Sequence, residues 1–293
     1  MSTKKKILIL GGKSGLLGQA LVHVFQEADL EVVTLGRADL NIFDSSKLKK
    51  FLEEIEPEQV INAIAYTQVD AAEHEPEKAF KLNKSFPALL GRVLKEKQLP
   101  LVHYSTDFAF DGAKDSPYTP EDEPHPLSVY GQSKLEGEKA LVQAGLPQLL
   151  ILRTAWLFGP WKSNFVQKIL SLAESNSKLQ VIHDQMGSPT YTLDLAHYTL
   201  NLIKMGASGT YHLVNKGRAS WCELAAEAIS VAGSRCLVQA ITSDQYPQEA
   251  RRPAYSVLDT SAYTETSGEK PRPWTKALRE YIYAYLQPQA EHD

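Results

Sequence analysis

The sequence has little cysteine, no surplus of basic charge and no long apolar run. Two cysteines, Cys222 and Cys236, stand among 293 residues. Two thiols make no disulfide framework, and no CxxC or Cys/His cluster marks a zinc site. They read as core thiols in a reducing cytoplasm, which is the expected location. The eight histidines form no HxxxH or HExxH pair, so no metal-binding residue is assigned. The formal net charge of −4 leaves no basic surplus to grip phosphate backbones, so nucleic acid is not an expected partner. No stretch approaches the ~20 apolar residues that cross a bilayer, and no membrane partner is expected. The run ILIL after MSTKKK is too short for the core of a secretory signal and reads as a first buried strand.

What is present is an ordinary globular composition, 43% hydrophobic and 23% charged, in a chain long enough for a core domain with a second lobe. Apolar runs (KILIL, EVVTL, QVINAIA, PLVHYSTDFAF, LLILRTAWLFG) alternate with helical patterns. Among these are LGQALVHVFQEA, SSKLKKFLEEIE with Ser45 or Ser46 as N-cap, and a long stretch from EPEKAF to LKEK interrupted near Pro87. Continuous apolar strands separated by helices predict an α/β fold, a Rossmann-type doubly wound parallel sheet. The expected division is residues 1–155 as a NAD(P)-binding Rossmann domain and 156–293 mainly as a smaller α/β substrate-binding lobe. Segments at about 175–205 are expected to return to the Rossmann core. The tail from EARRP to PRPW is expected to be irregular before a last helix, TKALREYIYAYL.

Between the first strand and first helix stands GGKSGLLGQ. Gly12, Gly15 and Gly18 recur every three residues, where glycines let the chain turn and let backbone N–H groups approach a pyrophosphate at a helix start. Glycine triplets alone are a weak signal, and a tight turn explains them too; their position favours a dinucleotide. The second strand ends at Gly36-Arg37 rather than at an acid. Arg37 can pair with a 2′-phosphate or stand in solvent, so NADPH is favoured and NADH stays open. Asp39 and Leu40 would border the adenine.

SVYGQSKLEGEK places Tyr130 and Lys134 four residues apart, on one helix face. An ammonium beside a phenol lowers its pKa and lets it exchange a proton with an alkoxide. The pattern is common, and its plainer reading is a packed tyrosine with a solvated lysine. Ser105, Thr106 and Asp107 at a strand's C-terminal end add weight, because open α/β sheets bind ligands there. Arg251-Arg252 is either a solvated pair or a phosphate contact. His103 and Trp221 read as packing residues.

Together, GGKSGLLGQAL, VINAIAYTQVDAAEHEPE, VHYSTDFAFDG, the segment from PYTPEDEPHP to the Tyr130 helix, LRTAWLFG, DQMGSPT and RRPAYSVLD resemble the extended short-chain dehydrogenase/reductases. Among these, the resemblance is to the dTDP-4-dehydrorhamnose reductase family, over nearly the whole chain. It implies an NAD(P)-dependent oxidoreductase acting on a dTDP-sugar. Gly15, Leu16 and Leu17 would then face the cofactor phosphates. Ala63, Ala65, Tyr66 and Thr67 would line the dinucleotide, with Asn83 nearby and Tyr104 behind it. Tyr130, Lys134 and Thr106 would be catalytic, with Lys134 also meeting cofactor ribose. Thr106, Asp107 and Trp156 would meet the sugar nucleotide. Relatives with this fold use Mg²⁺ at a dimer contact through glutamates, so Mg²⁺ and a homodimer come with the resemblance, although no glutamate here can be matched to that role. The sequence departs from the family pattern at Phe108-Ala109-Phe110, at Ser128 and at PWKSNF, all around the substrate. Phe108 stands where a dehydratase carries a proton-exchanging Glu, which argues against elimination. Another sugar-nucleotide reductase or an epimerase of the same superfamily, and a non-catalytic cofactor-binding regulatory subunit, remain the alternatives.

Overall fold

The structure, a computed structural model, describes residues 5–36 and 39–286. β1 (Lys6–Leu10) leads to α1 (Leu16–Glu27), and β2 (Glu31–Leu35) to α2 (Ser45–Ile55). β3 (Gln59–Asn62) leads to α3 (Val69–His74), α4 (Pro76–Phe80) and α5 (Phe86–Glu96). β4 (Leu101–Thr106) leads to α6 (Val129–Ala144) and β5 (Leu149–Thr154). Then follow β6 (Leu157–Phe158), α7 (Phe165–Ser175), β7 (Lys178–Ile182), β8 (Met186–Gly187), β9 (Thr190–Tyr191), α8 (Thr192–Lys204) and β10 (Gly209–His212). The chain ends with β11 (Ala219–Ser220), α9 (Trp221–Val231), β12 (Leu237–Ile241), α10 (Ser261–Ser267) and α11 (Trp274–Tyr281).

Six strands form one sheet in the order β2-β1-β3-β4-β5-β10, and every pair is parallel. The alternation of strand residues explains why both faces are apolar. Ile7, Ile9, Ile61, Val102, Leu150 and Leu152 pack on one side with residues of α1 and α8. Leu8, Leu10, Val60 and Leu101 pack on the other with residues of α2 and α5. A parallel strand covered on both faces must be apolar throughout, which is why these runs could be read in the sequence.

β1 lies between β2 and β3, so the chain reverses direction across the sheet after β2. The crevice beyond the carboxyl ends of β1 and β3 is the switch point at which open α/β sheets bind ligands.

Local expectations change in four places. The N-cap of α2 is Asp44, whose side chain accepts from Lys47 N, not Ser45 or Ser46. The long helix is interrupted upstream of Pro87, by a π-turn at Lys81–Ser85. Pro87 has no N–H, and its ring crowds the carbonyl of residue 83, so the chain widens there. The stretch expected to return to the core divides: β7 pairs with β12 away from the main sheet, while α8 packs on α1 and β10, at 209–212, joins the β5 edge. The tail holds a short helix, α10.

Candidate active site

The glycine loop is tight enough to require each of its glycines. A Cβ at Gly18 would lie 2.2 Å from the Gly11 carbonyl oxygen, one at Gly15 2.9 Å from it, and one at Gly12 2.7 Å from Thr34 Cγ2. Gly11 has φ +86; it is the left-handed position of the turn, and the three-residue spacing did not single it out. A Cβ there would lie 3.2 Å from Ile64 Cγ1 and 3.3 Å from the Ala63 carbonyl oxygen, which places the loop against the end of β3. α1 starts at Leu16 with no side-chain cap on Gly15 and no acid in its first turn. Its positive end is therefore open to an anion. The Leu17 side chain is buried in the core, so only its backbone can face a phosphate. Across the crevice, Asp39 accepts from Gly36 N at 2.7 Å and from Lys13 Nζ at 2.8 Å. Leu40 packs at the margin of the core cluster beneath it. Arg37 lies outside the described residues.

The loop after β3 is fixed from a distance. Asn83, buried in the π-turn, accepts from Tyr66 N at 2.8 Å and donates to Tyr66 O at 3.0 Å. Its amide also donates to Ser133 Oγ at 2.9 Å, and that hydroxyl donates to Tyr130 O at 2.8 Å. Tyr66 Oη donates to Glu75 Oε2 at 2.9 Å. Ala63 N is held by Leu10 O at 3.0 Å. Ala65 is half-buried and Thr67 exposed. One asparagine thus joins the dinucleotide side of the crevice to the helix that carries Tyr130.

α6 is capped by Ser128, whose hydroxyl accepts from Gly131 N. The helix lies close to its neighbours: a Cβ at Gly131 would meet Phe108 O at 2.2 Å, and one at Gly137 would meet Asn83 O at 2.0 Å. Burial pushes the Tyr130 phenol up to about 12; hydrogen bonding with the Thr106 hydroxyl opposes that rise and the Asp107 charge adds to it. Lys134 Nζ donates to Tyr104 O at 2.5 Å. The expected depression of the phenol by the ammonium is therefore not what governs Tyr130; burial and the Thr106–Asp107 turn do. Burial lowers Lys134 to about 8, against an upward pull from Glu138. The Tyr104 side chain points to the opposite face and bonds Thr199 Oγ1 at 2.7 Å, so Tyr104 serves the crevice through its carbonyl.

On the substrate side, Thr106 Oγ1 donates to Asp107 Oδ1 at 3.1 Å, and Ser256 Oγ donates to Asp107 Oδ2 at 2.6 Å. Burial raises the Asp107 carboxyl to about 6, with Ser256 and Thr106 pulling it back. Trp156 has φ +48, and its ring is closely packed. Trp221 stacks on it at 3.5 Å and 5°, and a Cβ at Gly187 would be 2.4 Å from its ring. Trp221, read as a packing residue, is what holds it there. Arg252 is neither solvated nor free for a phosphate; it grips Asp70 with two bonds of 2.9 and 2.7 Å. Cys222 and Cys236 are free thiols. Among the described residues, no group of three or more His, Cys, Asp or Glu could hold a metal, and no helix is long and apolar enough to cross a membrane.

The sheet order, the glycine loop and the Tyr/Lys helix define an oxidoreductase scaffold of the nicotinamide-dependent kind. Residues 5–287 match the family model described as the RmlD substrate binding domain. A dTDP-4-dehydrorhamnose reductase from Sinorhizobium fredii is 36% identical over 290 residues, covering 95% of this chain and 97% of that protein. The crystal structure of a dTDP-4-dehydrorhamnose reductase from Clostridium acetobutylicum superposes with a TM-score of 0.90 at 37% identity, covering 94% and 98% of the two chains. A dTDP-4-dehydrorhamnose reductase from Bacillus anthracis, solved in complex with NADP, gives 0.92 at 29% identity, covering 96% and 99%. The chain belongs to the RmlD family, a family of NAD(P)-dependent oxidoreductases.

Proposed function

We propose that this protein reduces the 4-keto group of a dTDP-4-keto-6-deoxy sugar, converting dTDP-4-dehydro-L-rhamnose to dTDP-L-rhamnose with NADPH or NADH. The observation that carries this reading is the placement of Thr106, Tyr130 and Lys134 at the carboxyl end of β4, beside the β1–β3 crevice. The crevice fits a dinucleotide: the glycines leave the space that side chains would fill, and the α1 end is open to a pyrophosphate. Gly11, Gly12, Gly15 and the Leu16 and Leu17 backbone would hold the pyrophosphate; Asp39 and Leu40 would border the adenosine; Ala63, Ala65, Tyr66 and Thr67 would line the middle. Bound there, the nicotinamide supplies a hydride.

The chain's own residues do the rest. Thr106 Oγ1, its one proton turned from Asp107 Oδ1 to the substrate, holds the carbonyl oxygen, and Tyr130 Oη gives that oxygen its proton as alkoxide character develops. A phenol at about 12 stays protonated at neutral pH yet remains a stronger acid than the aliphatic alcohol that forms, so the transfer to the alkoxide runs downhill. Lys134, fixed on Tyr104 O, keeps a positive charge near the oxygen that gains electrons. Asp107, Ser256 and Trp156 would set the sugar.

The test is oxidation of NADPH and of NADH by the purified protein with dTDP-4-dehydrorhamnose, with product identified chromatographically. Substrate-dependent oxidation with dTDP-rhamnose formed is expected. Tyr130→Phe should keep cofactor binding and lose about 10²- to 10⁴-fold in kcat. Absence of turnover with cofactor bound would overturn the substrate assignment, and near-normal turnover by Tyr130→Phe the proton assignment.

A further inference from the structure

Beneath α6 lies a buried ion pair that the reduction chemistry does not use. Glu138 and Arg153 are each about 95% shielded from solvent. Arg153 Nε donates to Glu138 Oε1 at 3.1 Å, and Nη2 donates to Oε2 at 2.7 Å. Two buried charges cost several kcal/mol each to desolvate, so a pair in a helix–sheet interface that apolar side chains could fill calls for a reason.

The placement gives one. Tyr130, Lys134 and Glu138 recur every four residues, so they rise along one face of α6. Glu138 stands one turn beyond the ammonium, as Tyr130 stands one turn before it. Arg153 comes from β5, in register with Ser105 of β4, one residue before the Thr106 end of the strand. Its guanidinium lies 5.2 Å over the Phe110 ring, just past the Asp107–Ala109 turn. The pair therefore ties the Tyr/Lys helix to the two strands and to the turn that form the site. Nη1 of Arg153 has no hydrogen-bond partner among the described residues, so the guanidinium is committed to Glu138 through its other two nitrogens.

We propose that Glu138, fixed by Arg153 one helical turn beyond Lys134, is the positioning residue of Lys134: it sets a fixed negative charge on the helix face that carries the ammonium. This rests on the functional reading above. Other groups around Lys134 do not take that role. His103 on β4 is buried, and burial together with the Lys134 charge holds it well below its usual range, hence neutral. Tyr130 stays a neutral phenol. Asp107, in the turn after β4, is bonded to Ser256 and Thr106. Glu73 of α3 accepts from Val129 N at the start of α6. Lys84 of the π-turn pairs with Glu136 toward solvent. Glu138 is the group whose charge raises Lys134 against its burial.

The experiment compares wild type with Glu138→Gln, titrating the Lys134 side chain by NMR in lysine-labelled protein, with the signal assigned by its loss in Lys134→Arg. The variant keeps the shape but removes the negative charge and leaves the Arg153 cation, so Lys134 should discharge at lower pH, by about one unit. The alkaline limb of the kcat profile should move the same way, with about tenfold lower kcat above both pKa values and KM little changed. Arg153→Met combined with Glu138→Gln removes the second charge and should return part of the shift. If Glu138→Gln does not fold, Glu138→Asp, which withdraws the carboxylate by one methylene, should give a smaller shift of the same sign. An unmoved Lys134 titration, with any activity loss following thermal stability alone, would overturn the proposal. A wild-type protein that turns over no 4-keto sugar nucleotide would instead overturn the functional reading, and the lysine titration would still judge the role of Glu138.

Discussion

Asn83 makes three hydrogen bonds from one buried amide, two to the Tyr66 backbone and one to Ser133. Asn83→Ala removes all three and leaves an N–H and a C=O of Tyr66 to find other partners. Each bond contributes about 1 kcal/mol net, and a buried polar group left unpaired costs about 1–3 kcal/mol. Tyr66 is half-buried, so water recovers part of that loss. The sum is about 2–4 kcal/mol, and at about 2 °C per kcal/mol for a chain of this size Tm should fall by about 4–8 °C. The freed loop lines the dinucleotide crevice, so the Kd for NADH, measured by fluorescence, should rise about tenfold, equivalent to about 1.4 kcal/mol. A double-mutant cycle with Ser133→Ala should return a coupling of about 1 kcal/mol for the single bond the two share. A Tm within about 1 °C of wild type, with unchanged NADH binding, would refute the view that this asparagine sets the loop.

Gly187→Ala should drive a methyl group into the Trp156 ring; the intrinsic tryptophan fluorescence should change, and KM for the sugar nucleotide should rise several-fold while cofactor affinity holds. Asp107 has a folded pKa above its unfolded value, about 6 against 3.8, so its protonation favours the fold. That contribution is complete below about pH 4 and lost as pH rises through 6; it amounts to about 3 kcal/mol at most. Chemical denaturation at pH 4.5 and 7 should therefore show wild type gaining stability relative to Asp107→Asn at the lower pH, and parallel behaviour would contradict the buried, raised carboxyl. Gly18→Ala should abolish cofactor binding or folding outright, since the clash is with the Gly11 carbonyl and not with a movable side chain; a soluble variant with normal NADH affinity would count against the loop geometry.

The parallel sheet was legible because burial on both faces forces unbroken apolar runs such as KILIL and QVIN. The smaller lobe was less so. β6, β8, β9 and β11 are two residues long, too short to show a period. α10 sits in a tail whose Pro, Gly and Ser content reads as irregular. In the site, spacing alone could place Gly12, Gly15 and Gly18 in one turn and Tyr130 with Lys134 on one face. It could not show that Gly11 carries the positive φ, nor that Lys134 would turn to a backbone carbonyl. Asn83 was reachable only through the resemblance, because its partners Tyr66 and Ser133 are 17 and 50 residues away. Ser256 meets Asp107 across 149 residues and Arg252 meets Asp70 across 182. Such pairs exist only after the chain has folded back, and no local pattern announces them.

That distance has a consequence for biosynthesis. The strands and helices that carry Thr106, Tyr130 and Lys134 have all been synthesised by residue 144. The segment that secures Asp107 and Asp70 has not. Until residues 250 to 256 emerge, a nascent chain holds its catalytic side chains on a sheet that already exists, with one buried-to-be carboxylate still open to water. The substrate side is thus completed late, by a segment that follows α9 and β12 in the chain. A chain stopped before residue 249 would lose that clasp together with Tyr263, Trp274, Leu278 and Tyr281 of the core that packs on α1 and α8.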